Sequence, residues 1–291
     1  MRQGTTTSAA RLPDFLLIGA TKAGTSSLDF YLSLHPEIHM ARPKEPRYFV
    51  DDAEPFGRWS RGEAWYRSLF ASPKRLAGET SPYYTDTPAE MNVARRAAHL
   101  LPGAKIIYVV REPMARLRSH FLMLHRNGRE HESLPACLAR QPEPRLLLAS
   151  LYATQLAEWR RFYPPERILV LDCHDLETWR RETMRRVFEF LGVNPDFRSV
   201  LFAHRRNVTK QQIIPTTSGR RILQSRPMRY AERTLPDPVF YHLKNIVLRP
   251  FAGNLPETSL PPGVEETLRK RLRDEVVRLR EMSGETLRSL G

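Results

Sequence analysis

The chain has 291 residues, of which 41% are hydrophobic, enough for one large α/β domain with its own core. The formal charge of +14, carried mainly by arginines spread along the chain, favours anionic partners without choosing among nucleic acid, membrane surface and polyanionic small molecules. Two cysteines, Cys137 and Cys173, lack metal-ligand spacing, and no apolar run approaches the roughly 18 residues of a membrane span, so zinc modules, disulfide scaffolds and membrane helices are set aside.

Residues 1–12 are small and polar and are expected to form a flexible N-terminal tail, followed by a single domain over 13–291. No apolar h-region follows Arg2, so a cytoplasmic location is expected. The apolar run at 13–20 reads as a buried strand, and Thr25 to Leu34 as a helix ended by His35-Pro36. Residues 75–79 form a weaker strand, and Pro88 to Leu100 reads as a helix. Residues 104–111, rich in β-branched side chains, give the clearest strand, and Pro113 opens a helix after it. Residues 167–172 read as another strand. Leu176 to Leu191 reads as an amphipathic helix with Trp179, Thr183, Val187, Phe190 and Leu191 inward. Val264 to Met282 reads as a last helix rich in Arg and Glu. Residues 205–260 show little periodicity. Strands alternating with helices predict an α/β fold with a central parallel sheet flanked by helices, so ligands belong at the carboxyl ends of the strands.

The first such loop is Gly19-Ala-Thr-Lys22-Ala23-Gly24-Thr25-Ser26-Ser27. Glycines permit close approach, and backbone N–H groups at a helix start hold anionic phosphate or sulfate. Gly19 and Gly24 have Walker A spacing, but Thr25 stands where the NTPase lysine belongs, and the loop's lysine is Lys22. A glycine turn capped by Thr25 or Ser26 is the plain alternative. After the strongest strand come Arg111, Pro113, Arg116 and Ser119, in the pattern R-x-P-x-x-R-x-x-S. A forked guanidinium and a hydroxyl suit a phosphate, although Arg111 alone also reads as a strand-end arginine paired with a surface acid. Asp172, at another strand end, reads as a capping or loop aspartate.

Together these motifs resemble those of the sulfotransferases that use 3'-phosphoadenosine 5'-phosphosulfate (PAPS), in motif style closest to the heparan-sulfate-type enzymes and in a bacterial form. The resemblance covers roughly residues 13–212. It implies a P-loop-type three-layer fold with PAPS as the donor co-substrate and no metal. It further implies that Lys22 contacts the oxygen bridging phosphate and sulfate. Ala23, Gly24, Thr25, Ser26 and Ser27 would hold the 5'-phosphate, and Arg111 and Ser119 the 3'-phosphate. Lys210, in the basic string at 205–212, is the candidate for a loop closing over the nucleotide, with a solvated basic loop as the alternative.

Residues 43–52 resemble the K-E-P-H-F-F-D stretch in which the glutamate is the general base, which makes Glu45 the candidate base; a salt-bridged surface acid is the alternative. Arg47 replaces the histidine of that stretch and Val50 its aspartate, with Asp51 next, and Thr80 stands where the related enzymes carry lysine after glutamate. Tyr83 and Tyr84 suit an acceptor cleft or core packing equally. His120 and His125 are alternative bases. The resemblance implies sulfuryl transfer to a hydroxyl or amine of a carbohydrate, glycolipid or small natural-product acceptor. A P-loop kinase or NTPase and a basic nucleic-acid-binding protein are the other readings, the latter resting on charge alone.

Overall fold

The structure, a computed structural model, describes residues 11–54, 56–86, 88, 92–140, 143–203, 215–235, 237–253 and 256–291. The chain divides into two compact units. One comprises residues 1–117, 145–206 and 266–291, the other 118–144 and 207–265.

The first unit is built on five parallel strands: β1 (Phe15–Gly19), β2 (Ile38–Met40), β3 (Leu76–Thr80), β4 (Lys105–Val110) and β5 (Ile168–Asp172), in the order β2-β3-β1-β4-β5. Every residue of β1 and all of β4 after Lys105 are buried. A strand covered on both faces reads as a continuous apolar run rather than as an alternation, and Phe-Leu-Leu-Ile and Ile-Ile-Tyr-Val-Val are such runs. Each of these large side chains contributes about 1.5–3 kcal/mol on leaving water. β1 lies in the middle of the sheet with β3 on one side and β4 on the other. The chain reverses its winding there, and the crevice at the carboxyl ends of these strands is where such sheets bind ligands.

Helices flank the sheet. Over both units the helices among the described residues are, in chain order, α1 (Thr25–Leu34), α2 (Gly62–Ser68), α3 (Val93–Leu100), α4 (Pro113–Arg126), α5 (Leu134–Leu138), α6 (Arg145–Leu148), α7 (Tyr152–Arg160), α8 (Cys173–Thr178), α9 (Arg180–Leu191), α10 (Thr217–Leu223), α11 (Arg226–Thr234), α12 (Asp237–Leu248) and α13 (Pro262–Ser283). α5, most of α4 and α10 to α12 belong to the second unit. In that unit Pro215 and Ala252 form an antiparallel bridge, and Thr216 N–H donates to the Phe251 carbonyl at 2.8 Å.

Several elements differ from the sequence reading. The helix expected from Pro88 starts at Val93, after Asn92 in the left-handed region (φ 54°). The single helix expected over 176–191 is two, α8 and α9, joined at Trp179, which is 40% exposed beneath the Arg288 guanidinium instead of facing the core. β2 is a strand that the sequence reading does not contain. Arg11, assigned to the tail, pairs with Asp14 and donates to the Lys74 carbonyl at 3.0 Å, while Leu12 packs on the core. No helix among the described residues is long and apolar enough to cross a membrane.

Two carboxyls are wholly buried at the end of β3 and just after it, Glu79 and Asp86. Burial pushes Glu79 up to about 7, against the Tyr84 hydroxyl that donates to it at 2.7 Å. Its folded-state value lies above its unfolded value of 4.5, so the folded chain holds this proton more tightly. Stability is therefore greatest below pH 4.5 and falls until about pH 7, by about 3 kcal/mol for this group. Glu79→Gln removes that pH dependence. Calorimetric melting is expected to show the variant gaining on wild type between pH 4.5 and 8; a gap independent of pH contradicts the assignment.

Candidate active site

The loop after β1 carries the geometry an anion needs. Lys22 has φ 70° and Gly24 φ 91°, both in the left-handed region, and such residues cluster where a backbone is shaped for a ligand. Gly19 has no room for a side chain, because a Cβ there would lie 1.9 Å from Thr85 Oγ1. Gly24 is the N-cap of α1 and no side chain caps it, which corrects the reading of a turn capped by Thr25 or Ser26. α1 instead opens with Thr25, Ser26 and Ser27 directly after the glycine loop, and such helix starts receive phosphate or sulfate.

The second motif is tied directly to the first. Arg111 Nη1 donates to the Lys22 carbonyl at 3.3 Å. Arg116, wholly buried on α4, donates from Nη1 to the Thr21 carbonyl at 3.2 Å, from Nε to Ser150 Oγ at 2.9 Å, and to the Leu146 carbonyl. The sequence pattern includes Arg116 without assigning it work. In the structure it pins the loop to α4 and α6, and burial, which works against its charge, is offset by these acceptors. Tyr152 adds a further hold, its hydroxyl donating to the Arg111 carbonyl at 2.7 Å. Ser119 is buried further along α4 in the second unit, at 5% exposure. Lys210 lies outside the described residues.

Thr21 and Asp86 form a contact at the loop that sequence reasoning missed. Thr21 Oγ1 donates to Asp86 Oδ2 at 2.6 Å across 65 positions of sequence. Nothing local to the sequence announces that pair. Burial raises Asp86 to about 6, against the Thr21 hydroxyl and the charges of Arg116 and Arg145.

Glu45 sits beside the loop. Its backbone N–H donates to the Thr80 carbonyl at 3.1 Å, and both Glu45 (φ 60°) and Arg47 (φ 53°) lie in the left-handed region. The carboxylate pairs with Lys44 at 3.3 Å and with Arg47. Lys44 Nζ also donates to Ser26 Oγ at 2.9 Å, linking this segment to the loop. Burial pushes the Glu45 carboxyl up, but the charges of Lys44 and Arg47 outweigh it and hold it below the ordinary range. Arg47 stands 5.0 Å from both the Phe56 and the Tyr83 ring centres, with Arg145 4.8 Å from Tyr83 on its own account. Tyr83 thus belongs to a wall beside Glu45, whereas Tyr84 is core.

Other candidates are occupied elsewhere. Asp51 pairs with Arg96 at 2.7 Å, and Val50 is buried. Asp172 caps α8 through His174 N–H at 2.8 Å and receives Ser289 N–H at 2.8 Å, a structural aspartate. His125 hydrogen-bonds the Glu132 carbonyl at 2.7 Å in the second unit, and His120 is buried there. Cys137 and Cys173 are buried thiols that form no disulfide.

Comparison with known proteins gives the family and the fold. The sulfotransferase domain family matches residues 12–219. The chain is 30% identical over 202 residues to human bifunctional heparan sulfate N-deacetylase/N-sulfotransferase 2, covering 64% of this chain and 22% of that protein. It is 28% identical over 284 residues to human bifunctional heparan sulfate N-deacetylase/N-sulfotransferase 1, covering 89% of this chain and 31% of that protein. The chain therefore spans between a fifth and a third of the length of these curated relatives. Among solved structures, a sulfotransferase from Alicyclobacillus acidocaldarius shares the fold, with a TM-score of 0.66 and 24% identity, covering 96% of this chain and 98% of that one. The chain belongs to the sulfotransferase family.

Proposed function

We propose that this sulfotransferase domain binds PAPS at the carboxyl ends of β1, β3 and β4 and transfers its sulfuryl group in line to a hydroxyl or amine of a carbohydrate, glycolipid or small natural-product acceptor. The observation that carries the reading is the joining of the two motifs: Arg111 and Arg116 hold the carbonyls of Lys22 and Thr21 in the phosphosulfate loop.

In this reading Ala23, Gly24, Thr25, Ser26 and Ser27 receive the 5'-phosphate through N–H groups and hydroxyls. Arg111 and Ser119 receive the 3'-phosphate, with Lys210 as the closing cation. These contacts fix the register of the donor, so that binding energy is spent on alignment. The acceptor oxygen or nitrogen forms its bond to sulfur as the bond from sulfur to the bridging oxygen breaks. The electron pair stays on that oxygen, now part of the 5'-phosphate, and Lys22 neutralises it. Glu45 takes the acceptor's proton. Lys22 thereby does the work that a metal does in nucleotide-dependent phosphoryl transfer.

The curated relatives are named for N-sulfation of heparan sulfate, which supports an amine on a carbohydrate. Arg47 and Thr80, which replace the histidine and lysine of the related stretches, support an acceptor contacted differently. The test is incubation with PAPS and a panel of de-N-sulfated polysaccharide, glycolipid and small hydroxylated aromatics. Release of 3',5'-adenosine bisphosphate that depends on one acceptor, with sulfur in the product, is expected. Hydrolysis of ATP–Mg²⁺ with no turnover of PAPS would instead support a P-loop NTPase.

A further inference from the structure

We propose that Lys44 is a donor-contacting residue that leaves Glu45 for the sulfuryl group when PAPS binds. This rests on the donor and base assignments above.

Lys44 Nζ bridges two groups of opposite purpose. It lies 2.9 Å from Ser26 Oγ, within the loop that receives the phosphosulfate, and 3.3 Å from Glu45 Oε1. The side chain is 26% exposed, so it borders the open side of the site. In this arrangement Glu45 carries two cations, and a carboxylate so neutralised is a weak proton acceptor. One of the two must leave before the base works.

Arg47 is the fixed partner. Its guanidinium lies against the Phe56 and Tyr83 rings and its backbone N–H donates to Ser81 Oγ at 3.1 Å. Lys44 is the movable one, a compact charge on a four-carbon stem with three rotatable donors. The anion that arrives at Ser26 is the phosphosulfate itself. Its oxygens are acceptors for Nζ within the reach Lys44 already spans, and they lie on the side from which the acceptor must approach. Position 80, next to this segment, offers only a buried hydroxyl without a hydrogen-bond partner among the described residues. Lys44 therefore supplies the second positive charge at the sulfuryl end, beside Lys22.

Donor binding then does two things with one movement. It gives the sulfuryl oxygens a charge-assisted hydrogen bond, and it strips one cation from Glu45 just as a proton acceptor is needed. Lys44 undergoes no covalent change; the acceptor's proton still goes to Glu45, and the electron pair still goes to the bridging oxygen.

The test compares the affinities of wild type, Lys44→Gln and Lys44→Arg for PAPS and for 3',5'-adenosine bisphosphate, which lacks the sulfuryl group. Lys44→Gln is expected to weaken PAPS about tenfold and to change bisphosphate binding by less than about threefold, with Lys44→Arg close to wild type for both. Unchanged PAPS affinity in Lys44→Gln overturns the proposal and leaves Lys44 as a restraint on Glu45. Equal weakening for both ligands, or failure of Lys44→Arg to recover PAPS binding, also overturns it, because a contact specific to the sulfuryl group moves only one. If wild type binds neither ligand, the donor reading fails first and this inference falls with it.

Discussion

Replacing Lys22 by alanine is expected to lower kcat by about 10²–10³-fold while changing affinity for 3',5'-adenosine bisphosphate by less than about tenfold. The asymmetry follows from where charge appears. In the proposed site the bisphosphate and the donor are already anionic and are received by the N–H groups and hydroxyls of the loop and by Arg111 just after β4. Only during transfer does further negative charge collect on the bridging oxygen. A cation aimed there acts on the transition state more than on the ground state. Lys22 occupies the left-handed region at φ 70°, where a non-glycine residue is held only because its surroundings fix it. Its carbonyl is gripped by Arg111, so the backbone position survives loss of the side chain. Single-turnover transfer beside calorimetric titration checks this. A loss of bisphosphate affinity with kcat unchanged would remove Lys22 from the chemistry.

Glu45→Gln is expected to cost about 10²–10⁴ in transfer rate with donor affinity within a few-fold of wild type. The base must be ionised, and in the free protein Lys44 and Arg47 hold its carboxyl below 4.5 against the effect of burial. Activity assigned to this group is thus kept at pH 4.5 and lost only as pH falls through the lowered titration of Glu45, so the acid limb of kcat/KM lies below pH 4.5. Burial works against Lys44 and Arg47 in setting it, and the Glu45 charge in turn raises the buried Asp86. If Lys44 departs with the donor, the limb in kcat, which reports the donor-bound enzyme, lies at higher pH than that in kcat/KM. Retained transfer in Glu45→Gln would place the base elsewhere.

The strands that frame the site were legible because burial on both faces leaves no alternation to misread: Phe15–Gly19 and Lys105–Val110 stand within one residue or two of where their apolar runs place them. The loop and the arginine motif stood out in the sequence because each follows a buried strand and resembles a motif of the PAPS-dependent sulfotransferases. The short β2 was hidden because three residues, Ile38–Met40, carry too little pattern between prolines. The break at Trp179 was hidden because an aromatic residue there suits a buried helix face as well as it suits the exposed joint beside Arg288 that it forms. In residues 205–260 arginines and prolines interrupt the periodicity, and the described part of that stretch contains α10, α11 and α12. The contacts that stiffen the loop, Thr21 with Asp86 and Arg116 with Ser150, join residues 65 and 34 positions apart; no single segment carries their signal.

In the proposed donor site the loop after β1 and Arg111 act together. Calorimetric titration of 3',5'-adenosine bisphosphate into wild type and Arg111→Ala, with ATP–Mg²⁺ as the competing ligand, tests it most directly. Tight bisphosphate binding by wild type, weakened by about tenfold or more in the variant, and little response to ATP–Mg²⁺ are expected. Binding of ATP–Mg²⁺ in preference to the bisphosphate, or bisphosphate affinity indifferent to Arg111, would contradict it.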